Sequence, residues 1–348
     1  GLACEEEIES RLIIKTRDNW KVEHGPFAES RFGKLGKKQW TLLVQAVDHH
    51  VPDVAALINP FRFIPGWRID DVMVSYATDG GGVGPHFDQY DVFLIQGLGK
   101  RRWQVGPRAD SATPLMPHND LRLLADFQAT DDWICEAGDI LYVPPGFAHH
   151  GVAVGDDCMT YSIGFRAPSR SDLITHYCDH LLDGMQDDDR YTDDFGTDPA
   201  TGRNPGEISA PEIARLHEML MNAMADRATF ARWFGEYNST KKYSDGPLDA
   251  EHPATPAEIR HQLECGAELC CHPASRFSFI RTGTDAITLF ADGESFEREA
   301  EAKAFAERLC AHHMPTVEPD WLGSVALLSL IAALYAQGSL TFADAPSE

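Results

Sequence analysis

His86 and Asp88 stand two residues apart in GGGVGPHFDQYDVF, Gly80 to Phe93, directly after a run of glycines. In an extended segment, side chains two apart point to one face, so an imidazole and a carboxylate at this spacing can converge on one point. They make half of a 2-His-1-carboxylate set, which holds Fe(II) and leaves positions open for a co-substrate and oxygen. A glycine-rich approach would let the backbone bend close to such a charged centre. An HxD pair alone is weak evidence, so a third ligand must come from elsewhere in the chain. The stretch GDILYVPPGFAHHGV offers two, because its Pro144-Pro145-Gly146 turn delivers His149 and His150 to the next strand. Only one of two neighbours can face inward, and the spacing leaves that choice open.

A set of three ligands serves many reactions, so the group that meets the co-substrate decides more. In GKRRWQV, alternation puts Arg101 on one face with Trp103 and Val105, while Lys100, Arg102 and Gln104 share the other. Arg101 is then the charged member of an apolar, inward-looking face. A buried guanidinium requires an anionic partner, and its planar fork matches a carboxylate with two parallel hydrogen bonds. One candidate is a protein carboxylate in a structural ion pair. The other is a dicarboxylate such as 2-oxoglutarate, with one end on iron and the other on Arg101.

Such residues need a rigid frame. From Asp70 to about Phe165 the chain reads as short β-branched and aromatic runs broken by Gly, Pro and Asp: DDVMVSYAT, YDVFLIQG, KRRWQVG, DILYVPP and CMTYSIGFR. This density of strands predicts a sandwich or barrel. Residues 19–65 look mixed, with a helix expected over KKQWTLLVQAVDHH. After Pro168 the period becomes helical, as in SDLITHYCDHLLDGM. The polar run 186–205 reads as an exposed connection. Ser209-Ala-Pro-Glu212 then has capping-box spacing, with Ile213, Leu216 and Leu220 following at helical intervals. Amphipathic helices beside a barrel need an apolar partner, and a second subunit would serve. Beyond Asp245-Gly-Pro, Thr255-Pro-Ala-Glu258 opens another helix and FSFIRTGTDAITLFADGESF reads as a hairpin with an Asp-Gly turn. Helices over 295–312 and 321–337 would complete a winged-helix module, whose excess of acidic residues argues against reading DNA.

At 348 residues the chain is long for one core, which predicts two or three domains. No apolar run approaches the roughly 20 residues that span a bilayer, so a soluble protein is expected. The eight cysteines form no CxxC pair, which fits reduced thiols in a cytoplasmic setting. Cys270-Cys271-His272 lacks a second ligand pair at zinc-site spacing. The start, GLACEEEIES, has no initiator Met and no apolar signal core, and reads as a chain truncated at its N-terminus. The formal net charge of −24 repels nucleic-acid phosphates and favours a basic protein partner.

The run GGGVGPHFDQYDVFLIQGLGKRRWQVG, with GDILYVPPGFAHHG and YSIGFRAP, resembles the bacterial ribosomal oxygenases, JmjC-type cupin hydroxylases that use Fe(II), 2-oxoglutarate and O2. WKVEHGPF, WTLLVQAV and WRIDD are similar too, so specific motifs extend from about Trp20 to Arg166. The resemblance implies a mainly β catalytic domain, a double-stranded β-helix of the JmjC cupin kind, over residues 1–168. An α-helical dimerisation region (169–247) and a C-terminal winged-helix-like α+β domain (248–348) would follow. It selects His149 over His150, giving His86, Asp88 and His149 as iron ligands, with Arg101 anchoring the distal carboxylate of 2-oxoglutarate. Thr160, on the same face as Ser162, would approach the cofactor.

For bacterial members the resemblance implies hydroxylation of an arginine in the large-subunit ribosomal protein L-sixteen, by a homodimer. Asp71 would pair with the substrate guanidinium, Met73 and Tyr90 would hold its stem, and Ser162 would add a hydrogen bond. Asp70, beside Asp71, could equally face in. The rival readings are a histidyl hydroxylase of another ribosomal protein, a JmjC demethylase, and a non-catalytic cupin that binds the ribosome. A zinc or manganese cupin isomerase would give Arg101 no task.

Overall fold

The computed structural model describes residues 1–343 apart from 18, 37, 193–203, 205 and 244–252. Its first part is a β structure of β1 (Ser10–Thr16), β2 (Asn19–His24), β3 (Gln39–Val44), β4 (Ile69–Ala77), β5 (Val92–Arg108), β6 (Asp131–Glu136), β7 (Ile140–Val143) and β8 (Phe147–Phe165), with the short α1 (Pro52–Ala56) ahead of β4. The strands run in the order β2-β1-β3-β4-β8-β5-β6, and β7 adds to β5. The long strands β5 and β8 make it a double-stranded β-helix, because each is bent and serves two layers. The first half of β5 pairs with the last third of β8, which also pairs with β4; its second half pairs with the start of β8 and with β6. Register shifts at Gln96/Leu98 and Leu98/Lys100 make the bend, where Gly99 on β5 has φ 64° and Asp157 on β8 has φ 61°.

Three expectations are corrected here. YDVFLIQG and KRRWQVG are one continuous strand, because bulges absorb the Gly97 and Gly99 positions that resemble breaks. CMTYSIGFR is the end of a strand that already contains His149. The helix expected over KKQWTLLVQAVDHH is β3 followed by a short 3-10 turn, Val47–His49. Trp40, Thr41 and Leu43 are buried, and β3 lies between β1 and β4, so the ladder decided against a helical period that the sequence also supports. Strand β2, read only as mixed structure, and β1, not assigned from the sequence, fill the outer edge.

The sheet encloses two apolar layers. Val72, Ile163 and Phe165 pack on its outer face against the region of α1, while Ile13, Leu43, Leu121 and Leu123 pack on the face that lines the interior.

Helices α2 (Arg170–Gly184), α3 (Ala210–Ala223) and α4 (Arg227–Ser239) follow. The capping box at Ser209 forms, with its backbone N–H donating to Glu212 Oε2 at 2.6 Å. Ile213, Leu216 and Leu220 lie exposed along α3. The C-terminal part comprises α5 (Pro256–Glu264), β9 (Leu269–Cys271), β10 (Phe277–Arg281), β11 (Ala286–Ala291), β12 (Glu294–Glu299), α6 (Ala300–Ala311), α7 (Val325–Ala336) and β13 (Leu340–Phe342). Thr255 and Glu258 cap α5 reciprocally, as their spacing predicted. The Asp292-Gly293 turn has both φ angles positive (52° and 94°), which suits a tight hairpin between β11 and β12. The helix expected from Ser295 is corrected: 295–299 pairs with β11, and α6 starts at Ala300. Phe305, Leu327, Leu330 and Ile331 meet Ile287 and Leu289 in a separate core. Among the described residues no helix is long and apolar enough to cross a membrane.

Candidate active site

The glycine loop after β4 crosses close beneath β8. A Cβ on Gly82 would lie 2.3 Å from the Gly151 carbonyl oxygen, so only glycine allows this approach. The loop then pairs with β8 through an isolated bridge: His86 N–H donates to His149 O at 3.0 Å and His149 N–H to His86 O at 2.8 Å. Gly146 N–H donates to Asp88 O at 2.7 Å and ties the third residue to the turn before β8. His86 and His149 each place Nδ1 on a carbonyl, Gly84 O at 2.8 Å and Phe147 O at 3.0 Å. A carbonyl only accepts, so both Nδ1 atoms carry the proton and both Nε2 lone pairs stay available. These point toward Asp88 Oδ2, at 4.0 Å from His86 and 3.6 Å from His149.

The three ligand atoms lie within 4.8 Å of one another. Two neutral imidazoles and a carboxylate fit a divalent first-row transition metal and leave part of its coordination sphere open. Burial first, and His86 second, pull His149 well below the ordinary imidazole range. His150 points to the opposite side, with Phe127 edge-on at 6.0 Å.

Arg101 is 3% exposed and lies on β5 opposite Ala153 of β8. Its Nε donates to Thr160 Oγ1 at 2.8 Å, and a terminal nitrogen reaches Ser75 Oγ at 3.4 Å. The Thr160 hydroxyl in turn donates to Gln96 Oε1 at 2.9 Å. Among the described residues no carboxylate pairs with Arg101, so the structural ion pair is excluded there. Burial drags the guanidinium below its usual range. Trp103 stands between the two centres, 6.1 Å from the His149 ring and 5.8 Å from the Arg101 guanidinium carbon. A Cβ on Gly151 would come within 2.6 Å of the Trp103 ring, so that glycine makes room for it.

The ligand cluster and Arg101 open on one cavity of 680 Å³, also lined by Asp71, Met73, Tyr90, Thr160 and Ser162. Every residue assigned from the sequence to the metal, the co-substrate or the substrate therefore lines this cavity, while His150 does not. Met73 faces Ser162 and Ser75 faces Thr160 across the β4–β8 ladder. Strict alternation fails at one point: a register shift between Ile69 and Val72 brings both Asp70 and Asp71 onto the ammonium of Lys242, at 2.7 and 2.8 Å. Asp70 also accepts from Arg166 Nε and from Arg276 of the C-terminal part, each at 3.2 Å. Sequence reasoning missed Lys242, Gln96 and these two arginines. The only sequence signal for Lys242 is a Lys-Lys pair in an acidic chain, and nothing local places it at β4.

A double-stranded β-helix that carries two histidines, a carboxylate and a lone buried arginine around one cavity defines a JmjC-type cupin. Residues 56–173 match the JmjC domain model and residues 220–341 the ROXA-like winged-helix model. The ribosomal protein uL16 3-hydroxylase of Escherichia coli is 38% identical over 340 residues, covering 97% of this chain and 87% of that protein. The structure of the E. coli ribosomal oxygenase YcfD in complex with cobalt and 2-oxoglutarate superposes with a TM-score of 0.84 at 37% identity, covering 98% of this chain and 88% of that one. The bifunctional lysine-specific demethylase and histidyl-hydroxylase NO66 of Brugia malayi is 36% identical over 80 residues, 22% of this chain and 11% of that protein. The chain belongs to the ribosomal oxygenases.

Proposed function

We propose that this protein is an Fe(II)- and 2-oxoglutarate-dependent oxygenase that hydroxylates an arginine side chain of the ribosomal protein uL16. The observation that carries the reading is Arg101, a buried guanidinium with no carboxylate partner among the described residues, in the same cavity as His86, Asp88 and His149. His86, Asp88 and His149 would hold the iron, and Arg101 the far carboxylate of 2-oxoglutarate with Thr160 positioning its fork. When bound, iron supplies oxygen activation, coupling decarboxylation of 2-oxoglutarate to succinate with insertion of one oxygen atom into a C–H bond.

The chain's own residues orient and enclose. The two Nδ1–H bonds fix the imidazole rings, and Trp103 and Leu94 keep water from the inner wall. At the mouth, Asp71 and Ser162 offer acceptors to a guanidinium, while Met73 and Tyr90 flank its stem. Residues 1–168 form the catalytic unit, 169–247 the dimerisation unit and 248–348 the winged-helix-like unit, the second boundary lying outside the described residues. The exposed Ile213, Leu216 and Leu220 stripe would meet a second copy of the chain, as a homodimer working among ribosomal proteins in the cytoplasm. The uL16 reading is favoured over the histidyl and demethylase readings because similarity to the bacterial uL16 3-hydroxylase spans nearly the whole chain, whereas that to the bifunctional relative covers a fifth of it, and the family resemblance implies arginine as the target in uL16.

The test is mass spectrometry of ribosomal proteins incubated with Fe(II), ascorbate, 2-oxoglutarate and either wild type or His86→Ala. One added oxygen on a uL16 arginine, matched by succinate and absent with the variant, is the expected result. Oxygen on a histidine, or formaldehyde from a methylated peptide, would assign a rival. No succinate at all would end the oxygenase reading.

A further inference from the structure

Asp71 is the carboxylate assigned above to the substrate's guanidinium, and a cation of this chain already rests on it. Lys242 follows α4 directly, and its segment is anchored on both flanks. Lys241 pairs with Asp292 at 3.3 Å, and the Tyr243 hydroxyl donates to Glu9 Oε2 at 3.1 Å. Between these anchors the Lys242 side chain, 28% exposed, reaches inward over Asp71, whose side chain is 6% exposed. The ammonium thus lies on the solvent side of the carboxylate.

The two acidic residues differ in their other support. Asp70 keeps Arg166 and Arg276 whether or not Lys242 is present, while Asp71 has only Lys242 among the described residues. Three cations already face two carboxylates here. A guanidinium brought to Asp71 with Lys242 still in place would add a fourth cation to a partly buried site, where like charges repel strongly. Exchange avoids this. The lysine stem is flexible, its charge is a point charge, and Asp70 gives it somewhere to stay. Burial pushes the Asp71 carboxyl up, and the Lys242 charge opposes that rise.

We propose that Lys242 is an internal occupant of the substrate's cation site, releasing Asp71 and keeping Asp70 when a substrate guanidinium binds. The apparent affinity for substrate is then reduced by the fraction of molecules in which Lys242 holds Asp71. This inference rests on the arginine reading, and the experiment separates the two.

A synthetic arginine-bearing fragment of uL16 is titrated calorimetrically into wild type, Lys242→Gln and Lys242→Arg at pH 8, and its turnover is followed with the iron-loaded enzymes. Removing the occupant is expected to lower both Kd and KM for the peptide about three- to tenfold with kcat within about twofold. Lys242→Arg, which restores a cation on the same carboxylates, should return both to near the wild-type values. In an Asp71→Asn background, Lys242→Gln should change neither. A Kd or KM that rises or stays unchanged in Lys242→Gln overturns the proposal and makes Lys242 a structural tie, as does tightening that persists without Asp71. If wild type binds the peptide but leaves its arginine unoxidised, the arginine reading fails instead.

Discussion

A guanidinium with no carboxylate beside it is an expensive thing to bury. Removing one charge from water without a counter-charge costs several kcal/mol, and Thr160 and Ser75 satisfy hydrogen bonds without supplying the anion. The proposed role supplies that anion: a co-substrate carboxylate would take two bonds at once from the planar fork. Arg101→Lys keeps a positive charge and loses that geometry. The KM for 2-oxoglutarate should rise about ten- to a hundredfold, or roughly 1.5–3 kcal/mol, with bound metal unchanged. Succinate formation against 2-oxoglutarate concentration, alongside metal analysis, checks this; an unaltered KM would show that Arg101 does not contact the co-substrate.

At the scale of elements, the 3-10 turn Val47–His49 pins β4 through Asp48, whose carboxylate accepts from Val72 N–H at 2.8 Å. Burial pushes Asp48 up to about 7 and pulls the adjacent His49 down to about 4, so their 3.8 Å contact joins two groups that both lean neutral. The folded Asp48 holds a proton that the unfolded chain, with its ordinary value of 3.8, has released. Its contribution to stability is complete below that value and is lost as pH rises toward about 7. Asp48→Asn keeps an acceptor for Val72 and cannot ionise. It should be more stable than wild type at pH 8 by about 1–3 kcal/mol and nearly equal at pH 4, read from urea unfolding at both values. Lower stability at pH 8 would mean that the ionised carboxylate supports the turn.

Elements were legible where local chemistry is strong. The capping boxes at Ser209 and Thr255, the Asp292-Gly293 turn and the alternation that turned Arg101 inward all follow from residue type and period. The helix expected over β3 failed because WTLLV suits either state and only β1 and β4 decide between them. The shift at Asp70 and Asp71 was invisible for the same reason: a bulge is a relation between two strands. Lys242, 171 residues from Asp71, is held by tertiary structure alone.

At the scale of the whole molecule, the net charge of −24 acts over distances that no single contact reaches. A basic ribosomal protein is drawn toward such a surface, and the attraction weakens as added salt shortens the screening length from roughly 10 Å at 0.1 M toward 3 Å at 1 M. Association of uL16 should slow by about tenfold between 50 and 300 mM salt while dissociation changes less, measurable by stopped flow. A salt-independent rate would count against electrostatic capture.

One carboxylate, Asp70, is gripped by Arg166 at the end of the barrel, by Lys242 after α4 and by Arg276 beside β10. This gives the molecule a timetable during its own synthesis. At about 5–20 residues per second, several seconds pass between the emergence of Arg166 and that of Arg276. A newborn barrel can therefore hold all of its metal-site side chains while two of the three cations at its mouth are still to be made, and the rim of the cavity is the last part to reach its final charge.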